Sequence, residues 1–231
     1  VGAQPGPVTG PSVRGIVDLS HPVEDGMPVY PGDPAVRIRP ATTTGEHGYN
    51  VLHVHMGSQS GTHVDAPFHF LEDGARVDAL PLELFLAPAV VADVRGKAPR
   101  TAITWADLAP VADRLGPGRA LLLHTGWDAW WGTDEYLAHP FLAGDAAERL
   151  VAAGVRTVGL DALSCDETVP DGEPAGGFAA HLAVLGAGGV VVENLRGLER
   201  IRSAEPLVSV LPLRLAGADG APVRAVAFDV G

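Results

Sequence analysis

The chain has 231 residues, 46% of them hydrophobic and 19% charged, enough to bury a substantial core in one domain. Its 28 acidic against 16 basic side chains give a formal net charge of -12, which argues against nucleic acid as a partner, because phosphate backbones are held by neutralising lysines and arginines. The lone cysteine, Cys165, rules out an internal disulfide and any CxxC zinc site, and fits a reducing cytoplasm.

Residues 1–12 are rich in Gly and Pro, with neither a basic start nor an apolar run, and read as a flexible lead and not a signal peptide. The domain is expected over 13–231. Short apolar or β-branched runs bounded by turn residues predict strands at Arg14–Leu19, Val51–Met56, Ala89–Val94, Ala120–His124, Thr157–Leu160, Gly189–Val192 and Ala225–Asp229. Helical patterns lie between them at Thr104–Leu115, with Thr104 as N-cap, and at Gly144–Ala153, closed by Gly154. The class is therefore α/β with a mixed sheet. Pro- and Gly-rich passages at His21–Pro40 and Asp161–Gly177 predict ordered loops able to close over a site. The apolar window Ala175–Val192 raises a membrane span, but five glycines and His181 within it favour core.

The stretch Gln59–His69 gathers metal-ligating residue types beside Gly and Pro. Fully extended, it would hold His63 and His69 roughly 20 Å apart at about 3.3 Å per residue, too far to serve one centre. A helix is opposed by Gly61 and forbidden to continue by Pro67. Bends near Ser60-Gly61 and Ala66-Pro67 would let Gln59, His63, Asp65 and His69 converge. Imidazole with carboxylate suits Zn(II), Mn(II) or Fe(II). Gly57-Ser-Gln-Ser-Gly61 is no nucleophile elbow, since Gln59 takes the place of the serine. Gly186-Ala-Gly-Gly189 precedes a strand where a dinucleotide loop would follow one.

The same stretch resembles H-x-G-T-H-x-D-x-P-x-H, the fingerprint of the cyclase or kynurenine-formamidase-like metal hydrolases, with Gln59 in the first position. Further blocks stand in family order: Asp18-Leu-Ser-His-Pro, Met27-Pro-Val-Tyr-Pro-Gly32, Thr125-Gly-Trp127, Val158-Gly-Leu-Asp-Ala-Leu-Ser164, and His181 with Glu193-Asn-Leu195. The resemblance implies a swivelling β/β/α barrel-like domain, forming homodimers or larger homo-oligomers that act on a small molecule. It implies a divalent metal, Zn(II) before Mn(II), as one or two ions held by His63, Asp65, His181 and Glu193. Gln59 stands where relatives use a histidine for one of two zinc ions, and an amide oxygen is the weaker ligand. His69 would be the acid/base that does not bind metal. The implied substrate is an N-formyl aryl amine such as N-formylkynurenine, the alternatives being a lactone or cyclic amide, or a family member that binds without turnover.

Each residue also has a structural reading. His21, His47, His53, His55 and His139, taken singly, are read as hydrogen-bonded surface or core residues. His63 and Asp65 could stabilise a turn, and His181 with Glu193 could be a buried structural pair. Tyr30 and Trp127 are the candidates for substrate contact, Tyr30 the better because its Pro-Gly loop belongs to a family block; for Trp127, Trp130 and Trp131 core packing is the favoured reading. Asp161, Asp166 and Glu167 are expected to solvate a loop, with a second metal as the alternative. Cys165, without a neighbouring cation in sequence, is expected to be inert.

Overall fold

The computed structural model describes residues 12–169 and 177–230. The expected flexible lead, apart from Ser12, and residues 170–176 of the second expected loop lie outside the described residues. Thirteen strands are assigned: β1 (Val13–Asp18), β2 (Arg37–Thr42), β3 (Val51–His55), β4 (His63–Asp65), β5 (Leu86–Asp93), β6 (Ala102–Ile103), β7 (Ala120–His124), β8 (Phe141–Leu142), β9 (Thr157–Leu160), β10 (Val190–Glu193), β11 (Leu207–Ser209), β12 (Gly220–Pro222) and β13 (Val226–Val230). Nine form one sheet in the order β1-β13-β11-β5-β7-β9-β10-β4-β12. Its centre, β5-β7-β9-β10, is parallel, and both flanks are antiparallel.

The central strands read as continuous apolar runs because both of their faces are covered. Along β7, Leu121 and Leu123 join one core cluster with Ala146, Ala147 and Leu150 of helix α3 (Gly144–Ala152) and Val184 and Leu185 of helix α4 (Ala179–Gly186). Ala120 and Leu122 point the other way, into a cluster that also holds Val64 and Ala221 from one end of the sheet and Val208 and Ala227 from the other. Residues from both ends of the sheet share that core, so the sheet curls upon itself, as the barrel-like expectation requires.

The sequence reading needs four corrections here. Thr104–Leu115 is not one α-helix: α-geometry covers only Trp105–Leu108, followed by 3-10 turns at Ala109–Arg114, because Pro110 has no N–H to donate back along the helix. Thr104 does stand at the N-cap, its N–H donating to Asp107 at 2.7 Å. The expected loop His21–Pro40 runs into β2, which pairs with β3 as a separate two-stranded ribbon, Pro40 opposite Leu52. Short β4, β11 and β12 went unseen, since three residues carry no readable period. Asp161 and Asp166 do not solvate a loop, for both are buried and hydrogen-bonded. The window Ala175–Val192 contributes α4 and β10 to the core, and among the described residues no helix is long and apolar enough to cross a membrane.

Candidate metal centre and cavity

The chain bends where Gly and Pro predicted. Gly61 adopts a φ of 67°, open to glycine, and a Cβ there would also lie 2.9 Å from Met27 Cε. Strand β4 then runs for three residues before Pro67 opens a 3-10 turn ending at His69. On β4 the alternation sends Val64 into the core and leaves His63 and Asp65 on the opposite face. Antiparallel pairing sets His63 beside Glu193, the last residue of β10. His181 arrives from the first turn of α4.

These four side chains are buried together. His63 Nε2 lies 3.3 Å from Asp65 Oδ1 and 3.7 Å from Glu193 Oε2. His181 Nε2 lies 3.4 Å from Asp65 Oδ2 and 3.2 Å from Glu193 Oε1. Each ring is aimed through its other nitrogen: His63 Nδ1 donates to the Gly61 carbonyl at 2.8 Å, and His181 Nδ1 to Asp166 at 2.7 Å. With Nδ1 carrying the proton, each neutral ring presents its Nε2 lone pair to the carboxylates. Both Asp65 oxygens and His181 Nε2 are buried without a hydrogen-bond partner. An uncompensated carboxylate in such a place is costly, so the group demands positive charge, which protons on both rings or a cation can supply. The electrostatics agree. Burial pushes the His63 pKa down, but Asp65 and Glu193 outweigh it and hold it at about 9. His181 is likewise raised against its own burial, by Cys165, Asp166 and Asp65, while His63 and His181 overcome the burial of Asp65 and depress its pKa.

His63, Asp65 and Glu193 bring one ligand atom each within 4.8 Å of one another, and Cys165, His181 and Glu193 form a second such trio. Burial raises the Cys165 thiol well above its usual range, so it offers no ready thiolate, consistent with the inert reading. Its backbone N–H donates to Glu193 Oε1 at 2.7 Å.

His69 stands apart from this cluster. It is partly exposed, its ring centroid 6.1 Å from that of His181, and its Nδ1 lies 3.1 Å from Asp219 Oδ2. Gln59 reaches the same group, its Nε2 donating to Asp219 Oδ2 at 2.8 Å, while its Oε1 is buried with no hydrogen-bond partner. Asp219 is the neighbour that sequence reasoning missed, and Asp166, expected to solvate a loop, is the one it misread. Asp219 lies in Ala-Asp-Gly-Ala-Pro, which reads only as a turn, and neither aspartate carries a local signal of what it meets.

A cavity of about 410 Å³ opens over the cluster. Tyr30, Phe70 and Phe178 line it beside His63, His69, His181 and Glu193, and the loop Pro28–Asp33 forms one wall, as the family block suggested. Trp127 does not line it: its ring packs in the core and its Nε1 donates to the Glu135 carbonyl at 3.2 Å, which corrects the substrate-contact expectation. Asp161 accepts three bonds from Thr125 and Gly126 and ties the end of β9 to the loop after β7. His53 and His55 lie on the exposed ribbon with Arg39 and Arg37 opposite, and His139 is buried between the Pro140 carbonyl and the Thr168 hydroxyl.

A family model described as "Putative cyclase" matches residues 17–167. The kynurenine formamidase of Sphingopyxis alaskensis is 33% identical over 222 residues, 93% of this chain and 98% of that one. That of Geobacillus thermodenitrificans is 32% identical over 217 residues, with 93% and 98% covered. Among solved structures, an isatin hydrolase bound to the product analogue thioisatinate superposes with a TM-score of 0.85 over 94% of this chain and 92% of its own; at 22% identity it shares the fold. A protein described as a "potential metal-dependent hydrolase with cyclase activity" has a TM-score of 0.75 at 29% identity, over 93% of this chain and 98% of its own. The curled mixed α/β sheet is the fold of these neighbours.

Proposed function

This chain belongs to the cyclase family and is a hydrolase, and on that premise we propose that it hydrolyses the C–N bond of an amide, with N-formyl aryl amines as its leading substrates. The observation that carries the reading is the buried Asp65, its two oxygens unpartnered and facing two imidazole nitrogens. A divalent ion fits that donor set, held by His63, Asp65, His181 and Glu193, with the free amide oxygen of Gln59 as a further candidate. Imidazole and carboxylate donors suit Zn(II) or Mn(II). When bound, such an ion supplies Lewis acidity for the carbonyl and lowers the pKa of water towards neutrality.

The remaining work falls to the chain. Asp166 and the Gly61 carbonyl fix the two ligand rings through their Nδ1 atoms. Tyr30, Phe70 and Phe178 supply an apolar wall for an aryl group. His69, outside the ligand cluster and on the cavity wall, takes the proton of the attacking water and returns it to the leaving nitrogen. The relatives named kynurenine formamidase, similar over nearly their whole length, support the formamide substrate. The neighbour described as a potential metal-dependent hydrolase with cyclase activity supports a second reading, a hydrolase or cyclase acting on a lactone or cyclic amide. The reading includes a cytoplasmic homodimer or larger homo-oligomer. In support, Leu52 and Val54 are exposed on one face of the β2–β3 ribbon.

The test is turnover of N-formylkynurenine beside a panel of lactones and cyclic amides, with protein stripped of metal and then given Zn(II) or Mn(II). Metal-dependent formate release is the expected outcome. Activity confined to ring substrates would select the second reading, and no turnover on any of them would leave a binding protein.

A further inference from the structure

Building on the reading of His69 as the proton carrier, we propose that Asp219 is its positioning residue, setting the tautomer and aim of the ring. Nothing in the fingerprint assigns Asp219 a role, and it enters the site from the far end of the chain, 150 residues from His69.

The case rests on how completely Asp219 is fixed. Oδ2 faces His69 Nδ1 at 3.1 Å and also accepts from Gln59 Nε2 at 2.8 Å; Oδ1 accepts from Ser58 Oγ at 2.8 Å. Its backbone is held as well, since its carbonyl accepts from Ala66 N–H at 2.8 Å and the next residue, Gly220, pairs with Asp65. That approach requires glycine: a Cβ at position 220 would lie 2.4 Å from the Val64 carbonyl oxygen and 2.7 Å from the Gln59 amide. Asp219 is thus locked by the same strand pairing that places Asp65, and by the turn that precedes His63. A carboxylate only accepts, so the proton between the partners belongs to His69 Nδ1. The neutral ring then offers its Nε2 lone pair, the form a general base needs, and keeps that orientation when the ring becomes charged. Gln59 supports the carboxylate from outside: its amide donates to the oxygen that His69 uses, and cannot hydrogen-bond to Nδ1 while Nδ1 carries a proton.

The experiment reads the tautomer directly, without needing a substrate. Long-range 1H–15N spectra of the Zn(II)-loaded protein at mildly alkaline pH should show His69 protonated on Nδ1, with His69→Ala giving the assignment. In Asp219→Asn, whose amide can donate to Nδ1, the proton should move to Nε2. The same variant should lose about 10²- to 10⁴-fold in kcat on the formamide substrate, with KM within a few-fold and bound zinc unchanged. Asp219→Glu should recover part of that loss, and Ser58→Ala, which only loosens the carboxylate, should lower kcat several-fold. A wild-type ring protonated on Nε2, a tautomer indifferent to Asp219→Asn, or full kcat in both Asp219→Asn and Ser58→Ala overturns the assignment. Turnover that survives His69→Ala would instead defeat the reading of His69, while the spectra would still decide the role of Asp219.

Discussion

Asp65 is 1% exposed, carries two unpartnered oxygens and sits within 3.4 Å of two imidazole nitrogens, a state that positive charge must complete. Asp65→Asn keeps the shape and removes the charge. Thermal melts with and without Zn(II) should show the wild type stabilised by about 4 kcal/mol when metal is at a thousand times its Kd, or roughly 8–16 °C. Asp65→Asn should show little of that shift; an equal shift would remove Asp65 from the ligand set. His139 makes a prediction of opposite dependence on protons. Burial lowers its pKa to about 4, its Nδ1 donating to the Pro140 carbonyl and its Nε2 accepting from Thr168. A pKa below the unfolded value means stability is complete above about pH 6.5 and is lost as pH falls towards 4, by up to about 3 kcal/mol. In urea titrations, the advantage of wild type over His139→Gln should therefore shrink between pH 7 and pH 4.5. A constant difference would show that His139 is not kept neutral.

Helix α4 shows how an element and a site share one residue. Asp166 accepts from the N–H groups of Ala180 and His181, the orphan donors of the first turn, and from His181 Nδ1. One carboxylate therefore starts the helix and aims the His181 ring. Asp166→Ala should cost about 1–2 kcal/mol in folding stability and weaken metal binding about 10- to 100-fold. Calorimetric titration showing unchanged metal affinity would reduce Asp166 to a cap. The sequence marked this segment as apolar with His181 embedded in it, but Asp166 lies 15 residues away in the chain. Only the folded helix start brings them together.

The curled sheet is what holds the site at molecular scale. Leu121 is fully buried on the central parallel strand β7, facing α3 and α4, and β7 pairs with β9, which in turn pairs with β10, the strand that ends in Glu193. Leu121→Ala should lower unfolding free energy by 2–5 kcal/mol, a range set by how far the cavity collapses. A loss below about 1 kcal/mol would mean that this core is loosely packed.

Local chemistry made part of this legible. The apolar runs of β7, β9 and β10 announced strands, Gly61 and Pro67 announced the bends, and His63 and Asp65 stood two apart on what is now a strand face. Resemblance singled out His181 and Glu193 and gave His69 its role, while His69 itself stood in the stretch whose bends were expected to bring its donors together. Where runs were three residues long, as in β4, β11 and β12, no pattern could form, and Pro110 cut short a helix that composition favoured. Trp127 shows the limit at a single residue, since an aromatic side chain in a site block reads alike whether it meets substrate or core. What the sequence by itself determined was the spacing of His63 and Asp65, the bends and the strands, because each depends on residue type and near neighbours. What only the tertiary structure decided was the company those donors keep. Asp166 beside His181, Asp219 beside His69 and Glu193 opposite His63 come from pairing and packing between distant segments, and burial sets that register for the whole sheet at once.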